Sequence, residues 1–146
     1  MHIRTARFGI VSVHPDDVFY FPYGLIGRED CRHWVLLADA GNEAIGWLQS
    51  TTDPDLAIAV ISPRRFAPHY RVRVPQRELA AIELEEVGQA YVLNVVAKNN
   101  GQLTANLRAP LILNLDRKLG RQVVTGDEQP VQWELTPPPV ELRKSA

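Results

Sequence analysis

Short runs of aliphatic and aromatic residues alternate with polar turns along most of the 146-residue chain, which contains eleven prolines and nine glycines. Short apolar runs bounded by such breakers are typical of strands. We predict strands over residues 3–8, 10–13, 18–21, 34–37, 45–49, 56–61, 70–74, 91–97, 111–115, 122–124 and 131–135. About ten strands in this length predict a mostly β, compact antiparallel β-barrel-like domain with one short helix.

The predicted helix covers residues 76–86. Pro75 stands directly before it, as proline often does at a helix start, and Leu79 and Ile82 have helical spacing. Residues 70–74, just before, alternate tyrosine and valine with arginine. That alternation predicts a half-exposed strand with an arginine-bearing outer face.

Residues 1–135 contain neither an internal repeat nor a linker composition, so we expect them to form a single domain. A chain of this length buries about 68% of its unfolded surface, which is enough for a sizeable core. Residues 136–146 contain three consecutive prolines followed by charged and small residues. We expect this segment to be a flexible, proline-rich tail.

Residues 103–110 place amide and hydroxyl side chains inside a strand-like run that continues into the apolar segment 111–115. Asn106 and Asn114 must find hydrogen-bond partners there, or each costs roughly 1–3 kcal/mol. In a strand, Thr104, Asn106 and Arg108 would share one face. That face could either contact a partner or brace the barrel from within.

Hydrophobic residues make up 45% of the chain and charged residues 23%, as in ordinary soluble globular proteins. The net charge of −1 selects neither nucleic acid nor membrane as a partner. A single cysteine excludes an intramolecular disulfide. The amino terminus lacks a signal-peptide core, and no run approaches the roughly 20 apolar residues of a membrane span, so we expect a cytoplasmic protein.

Candidate catalytic residues are sparse. Cys31 and His33 would point the same way in a strand, yet no orienting carboxylate or glycine-rich oxyanion loop accompanies them. The four histidines are scattered, and no glycine-rich phosphate loop occurs. The sequence therefore predicts a protein that is not an enzyme and has no cofactor and no metal site.

An arginine cluster occupies residues 64–78, which carry five arginines and a single glutamate, Glu78. Phe66, His69 and Tyr70 are interleaved with the arginines. This composition is compatible with three roles. The segment could be a solvated strand edge whose charges prevent aggregation, a surface that contacts an acidic protein, or a surface on which the bases of single-stranded RNA stack. The arginines are Arg64, Arg65, Arg71, Arg73 and Arg77.

Four motifs together resemble the FliW family of bacterial flagellar assembly factors. They are Phe-Pro-Tyr-Gly-Leu-Ile-Gly at 21–27, Trp-Leu-Gln-Ser at 47–50 with Asp-Pro-Asp-Leu at 53–56, the segment 103–110 with its apolar continuation, and Gly-Arg-Gln-Val-Val at 120–124. The resemblance covers nearly all of residues 1–135. We assign structural roles to its signature positions Pro22, Gly24, Gln49, Asp53, Pro54, Asp55, Pro110 and Asn114.

The resemblance implies a β-barrel-like, non-enzymatic regulator that binds the RNA-binding protein CsrA. Such a regulator inhibits RNA binding by CsrA non-competitively and so relieves repression of flagellin translation. Flagellin in turn sequesters the regulator, which makes the system a partner switch. We expect a monomer that contacts neither nucleic acid nor membrane, with Arg71, Arg73, Thr104, Asn106 and Arg108 as partner-binding residues. The alternative is a small β-barrel that binds single-stranded RNA through the cluster at 64–77.

Overall fold

The computed structural model describes residues 1–135, and within them the chain is mostly β with one short helix, which confirms the predicted fold class. The predicted tail, residues 136–146, lies outside the described residues. The helix α1 covers Gln76–Ala80. The strands are β1 His2–Thr5, β2 Gly9–Ser12, β3 Val18–Tyr20, β4 His33–Ala38, β5 Ile45–Ser50, β6 Ala57–Ile61, β7 Tyr91–Asn99, β8 Gln102–Ala105, β9 Leu111–Asn114, β10 Leu119–Gln122 and β11 Trp133–Glu134.

A closed ring of strands forms the barrel. Its order is β7-β6-β5-β4-β3-β10-β9, and β9 returns to pair with β7. All of these pairs are antiparallel except β10 with β3, which are parallel. Closure leaves the ring without a free edge strand, which removes a site of edge-to-edge aggregation.

The barrel interior is filled by large apolar side chains that alternate along the strands. Trp34, Phe21, Leu48, Leu111 and Leu113 are fully buried there. The indole Nε1–H of Trp34 donates to the carbonyl of Cys31 at 3.1 Å, so its buried polar atom is satisfied. Each such side chain contributes roughly 1.5–3 kcal/mol through burial.

Three smaller clusters attach the remaining elements to the barrel. The β1–β2 hairpin packs Ile3 and Val13 against Val35 on the outer face of β4. The helix buries Leu79 and the following Ile82 against β9 and β10. Beyond the ring, β8 and β11 pair with each other and extend the sheet from β7.

The predicted helix boundary was wrong at its carboxyl end. The helix stops at Ala80 instead of continuing to residue 86, because Glu83 takes a left-handed conformation with φ +61°. The N–H of Leu84 then donates to the carbonyl of Leu79, and the N–H of Glu83 to that of Ala80. This is a Schellman cap, which usually carries glycine where this chain has glutamate.

The predicted strand at 70–74 is absent from the described structure, where these residues form an extended but irregular segment. Val72 and Val74 pack on the helix side of the barrel, so the alternation correctly indicated a half-buried segment. Each ring strand beneath this segment already pairs with a neighbour along both edges. None therefore has free backbone groups with which residues 70–74 could form a further strand pairing. The strand predicted at 122–124 is also shifted, since β10 spans Leu119–Gln122.

Candidate functional site

The first signature motif forms a tight turn after β3. Gly24 has φ +65°, and a β-carbon there would lie 2.6 Å from the Cα of Glu29, so only glycine fits. The N–H of Gly24 donates to the carbonyl of Phe21 at 2.9 Å, with Pro22 half-buried between them. The loop is attached to β10 because the N–H of Ile26 donates to Gln122 Oε1 at 2.9 Å.

The second motif is organised by Gln49, whose side chain is fully buried. Its Nε2 faces four backbone carbonyls, those of Ser50, Asp53, Pro54 and Leu56, at 3.0–3.5 Å. One amide therefore fixes the whole turn between β5 and β6.

The Asp-Pro-Asp sequence completes that turn. Asp53 Oδ1 accepts the N–H of Asp55 at 3.0 Å, while its other oxygen lies 3.4 Å from Arg28 Nη2. The carbonyl of Pro54 accepts the N–H of Ala6 at 2.8 Å, which joins the turn to the β1–β2 hairpin. These signature residues connect separate elements of the fold.

Asn114 joins two further elements at the end of β9. Its Nδ2 donates to the carbonyl of Ile82 at 2.9 Å, next to the helix cap. Its Oδ1 accepts the N–H groups of Asp116 and Arg117, both at 3.1 Å, and so shapes the turn to β10. The expected buried amide is thus fully satisfied.

The third motif contains a loop, residues 106–110, that leaves the sheet between β8 and β9, and we call this loop the excursion. Both of these strands pair with β7. Ala105 of β8 stands opposite Val96 of β7, and Leu111 of β9 stands opposite Leu93. Five residues, 106–110, therefore face only two residues of β7. The carbonyl of Pro110, at the end of the excursion, accepts the N–H of Val123 at 3.0 Å.

Asn106 braces this excursion. Its Oδ1 accepts the N–H groups of Arg108 and Ala109, both at 3.0 Å, as in an Asx turn. Its carbonyl accepts Nδ2 of the buried Asn94 at 2.9 Å. Its own Nδ2 donates to no acceptor within residues 1–135, and the side chain is half-exposed. The amide can therefore brace the turn with its oxygen while its nitrogen stays accessible.

The structure brings the segment at 70–73 beside this excursion, although about 35 residues separate them in sequence. The hydroxyl of Tyr70 donates to the carbonyl of Leu107. Burial raises the pKa of Tyr70 above its ordinary value, and the hydrogen bond from Asn94 partly opposes that shift. The phenol therefore stays protonated as a donor.

The loop at 125–129 completes the surface, and sequence analysis did not identify it. Arg73 lies 3.8 Å from the Asp127 carboxylate, and the Arg73 carbonyl accepts the N–H of Gly126. Arg108 Nε donates to the carbonyl of Gln129 at 3.0 Å. The Thr-Gly-Asp sequence at 125–127 is a turn signal but carries no information about its neighbours. We call the surface formed by Arg71, Arg73, Asn106 and Arg108 the arginine face.

Thr104 lies apart from the arginine face. Its side chain is buried, and its hydroxyl accepts Nδ2 of Asn99 at 3.1 Å. The expectation that Thr104, Asn106 and Arg108 share one strand face was wrong, because β8 ends at Ala105. Thr104 instead supports the β7–β8 hairpin beneath this surface.

The residues considered for catalysis are not assembled into a site. Cys31 is buried with its Sγ 3.5 Å from Arg28 Nη2, whereas His33 is exposed beside the ring of Tyr20. Within residues 1–135, no group of three or more histidine, cysteine, aspartate or glutamate side chains is placed to hold a metal. In the same residues, no helix is both long and apolar enough to cross a membrane.

Comparison with known proteins identifies the family. A crystal structure of the flagellar assembly factor FliW superposes with a TM-score of 0.85 at 24% identity, covering 95% of this chain and 99% of that one. The flagellar assembly factor FliW of Thermoanaerobacter pseudethanolicus is 33% identical over 132 residues, which cover 88% of each chain. That of Bdellovibrio bacteriovorus is 36% identical over 129 residues, covering 87% of this chain and 74% of its own. The family model for FliW protein matches residues 2–135, and this chain therefore belongs to the FliW family.

Proposed function

We propose that this chain is a flagellar assembly regulator that acts by stoichiometric binding of other proteins and not by catalysis. The observation that carries the proposal is the family match over residues 2–135. By family resemblance its partners are CsrA and flagellin. It antagonises RNA binding by CsrA non-competitively, relieves repression of flagellin translation, and is sequestered by flagellin. This exchange takes place in the cytoplasm, with the regulator as a monomer.

The arginine face is our proposed contact surface. Arg71, Arg73 and Arg108 are exposed, and guanidinium groups suit bidentate contacts with carboxylates of a protein partner. Asn106 adds an amide donor with no acceptor among the described residues. Thr104 contributes from beneath, by holding the strand that leads into the excursion.

A titration of the purified chain against CsrA and against flagellin tests the proposal. We expect saturable binding of both at micromolar concentration. Arg73→Glu combined with Arg108→Glu should weaken at least one partner by about tenfold or more, since charge reversal at a contact typically costs over 1.4 kcal/mol. Arg4→Glu, an exposed arginine on the β1–β2 hairpin, is the matched control. Absence of saturable binding to either partner would remove the proposed function.

Direct binding of single-stranded RNA is the second candidate, because the five arginines at 64–77 form only one ion pair within residues 1–135, that of Arg73 with Asp127. A mobility-shift series across salt concentrations separates the two functions. Phosphate contacts would make affinity fall steeply as salt rises. RNA affinity that exceeds the affinity for CsrA and flagellin would favour the second candidate.

A further inference from the structure

One end of the barrel carries a surface groove. It lies where β4, β6 and β9 end and where β5 and β7 begin. The groove has a volume of about 580 Å³ and is lined by Leu36, Gly46, Val60 and Leu93 among others, with Val60 and Leu93 buried at its floor. We call it the mouth groove.

Small residues stand at the rim of the mouth groove. At Gly46 the neighbours are close, since a β-carbon would lie 3.4 Å from Leu36 Cδ1 and 3.5 Å from Val60 Cγ2, so the free space of the groove lies outside Gly46 and not behind it. Ala38 pairs with Gly46 and adds only a methyl group. Apolar side chains are left at the rim, where Leu36 is 36% exposed and Tyr91 is 38% exposed. A groove with exposed apolar side chains at its rim can accept an apolar side chain from outside.

Arg64 lines the mouth groove and two neighbouring grooves. The lateral groove, of about 330 Å³, runs beside Ala67, Arg71 and Val92. The acidic groove, of about 650 Å³, is lined by Glu83, Glu85, Asp116 and Arg117 in addition to Arg64. Within residues 1–135 Arg64 makes no ion pair or side-chain hydrogen bond, so its guanidinium is accessible.

Charge distinguishes the three grooves. The charged residues that line the mouth groove are Arg64, Arg65 and Glu43, and those of the lateral groove are Arg64 and Arg71. The acidic groove carries three carboxylates, one of which pairs with Arg117 at 3.6 Å. An anionic segment would be attracted to the first two grooves and repelled by the third.

The shape of these grooves fits a polypeptide better than RNA. Single-stranded RNA needs exposed aromatic faces on which bases stack. Of the three aromatic residues that line the mouth and lateral grooves, Phe66 is half-buried in the cluster around Ile61 and the hydroxyl of Tyr70 is held by Leu107. Tyr91 is exposed at the rim, and one ring does not make a run of stacking faces. The walls of the mouth groove are mainly aliphatic, which suits a leucine-like anchor.

We propose that the mouth and lateral grooves together dock an acidic segment of a protein partner. An aliphatic side chain of that segment packs in the mouth groove against Leu36 and Tyr91, and flanking carboxylates pair with Arg64, Arg65 and Arg71. This surface goes beyond the proposed function, since it specifies the chemistry of a bound segment without depending on CsrA or flagellin.

Titration of the isotope-labelled chain with synthetic peptides, followed by amide chemical shifts, tests the proposal. The probe is a peptide of about 12 residues with leucines at helical spacing and glutamates between them. The two comparison peptides replace either every glutamate by lysine or every leucine by serine. We expect only the first to saturate, with shifts concentrated at residues 36–38, 44–46, 60–66 and 91–93.

Arg64→Glu should weaken that binding by about tenfold or more, as expected for reversal of a contact charge. Ala38→Phe should weaken it by filling the mouth groove, and Ala38 is exposed enough for the variant to fold. Arg4→Glu should change affinity by less than about twofold. Equal binding of the lysine peptide, shifts confined to other surfaces, or tighter binding of a 12-nucleotide oligouridine would overturn the proposal. Because neither natural partner is used, this result is independent of the test of the proposed function.

Discussion

Phe21 and Gly120 lie so close together that a β-carbon at residue 120 would collide with the ring Cζ of Phe21. Phe21 follows β3, and Gly120 belongs to β10, and these two strands form the single parallel pair of the ring in residues 1–135. The glycine therefore leaves room for the aromatic ring at the place where the barrel closes. Leu113, opposite Gly120 in β9, would also be contacted at 2.8 Å.

Gly120→Ala should therefore lower the free energy of unfolding by about 1–3 kcal/mol, since an added methyl group overpacks a fully buried site. Urea denaturation at neutral pH measures the change. Gly88→Ala is the matched control, because a β-carbon there meets no atom within 4 Å. Equal stability of the two variants would mean that the ring of Phe21 can move away at no cost.

Asn114→Ala should destabilise the protein by about 1–3 kcal/mol, because it leaves the buried carbonyl of Ile82 and the N–H groups of Asp116 and Arg117 without their side-chain partner. Thermal and urea unfolding would report the loss. Gln132→Ala removes an exposed amide with no side-chain hydrogen bond in the described structure, and it should be neutral. An unchanged midpoint for Asn114→Ala would show that water replaces the amide.

Gln49→Glu should cost more than about 2 kcal/mol at neutral pH, because it replaces a buried donor by an oxygen that faces four carbonyls. Gln49→Met keeps the volume but removes the polar group, so it should cost less. Gln132→Glu controls for the added charge at an exposed position. If the glutamate variant were as stable as the parent, the turn between β5 and β6 would not depend on this amide.

Tyr70→Phe should destabilise the protein by about 1 kcal/mol at pH 7, because the hydroxyl donates to the Leu107 carbonyl. The difference between parent and variant should shrink as pH rises above about 10, the ordinary pKa of tyrosine. Burial raises the folded-state pKa of Tyr70, so the stabilisation is complete below the unfolded pKa and is lost as pH rises through the folded pKa.

Urea midpoints of parent and variant, measured at several pH values from 7 to the alkaline limit of folding, check this expectation. Tyr23→Phe is the control, since Tyr23 is exposed and its ring lies under Arg121. A parent-to-variant difference that grew with pH would contradict the assigned direction of the pKa shift.

The sequence by itself determined the local features. Alternation and breakers indicated most strands, Pro75 and the spacing of Leu79 and Ile82 indicated a helix, and the four motifs indicated the family. Each of these signals depends on residues that are close together in the chain. The need of Asn106 and Asn114 for hydrogen-bond partners could also be recognised, because a polar side chain in an apolar run requires a partner.

The tertiary structure alone decided where those local pieces meet. Glu83 ends the helix in a left-handed conformation that its side chain does not signal, and β8 stops at Ala105 because the chain bulges away from β7. Arg73 meets Asp127, and Arg108 meets the carbonyl of Gln129, only because barrel closure brings three distant segments together. Strand register and closure are set by packing summed over the whole ring, so no single segment contains the information that positions the arginine face or the mouth groove.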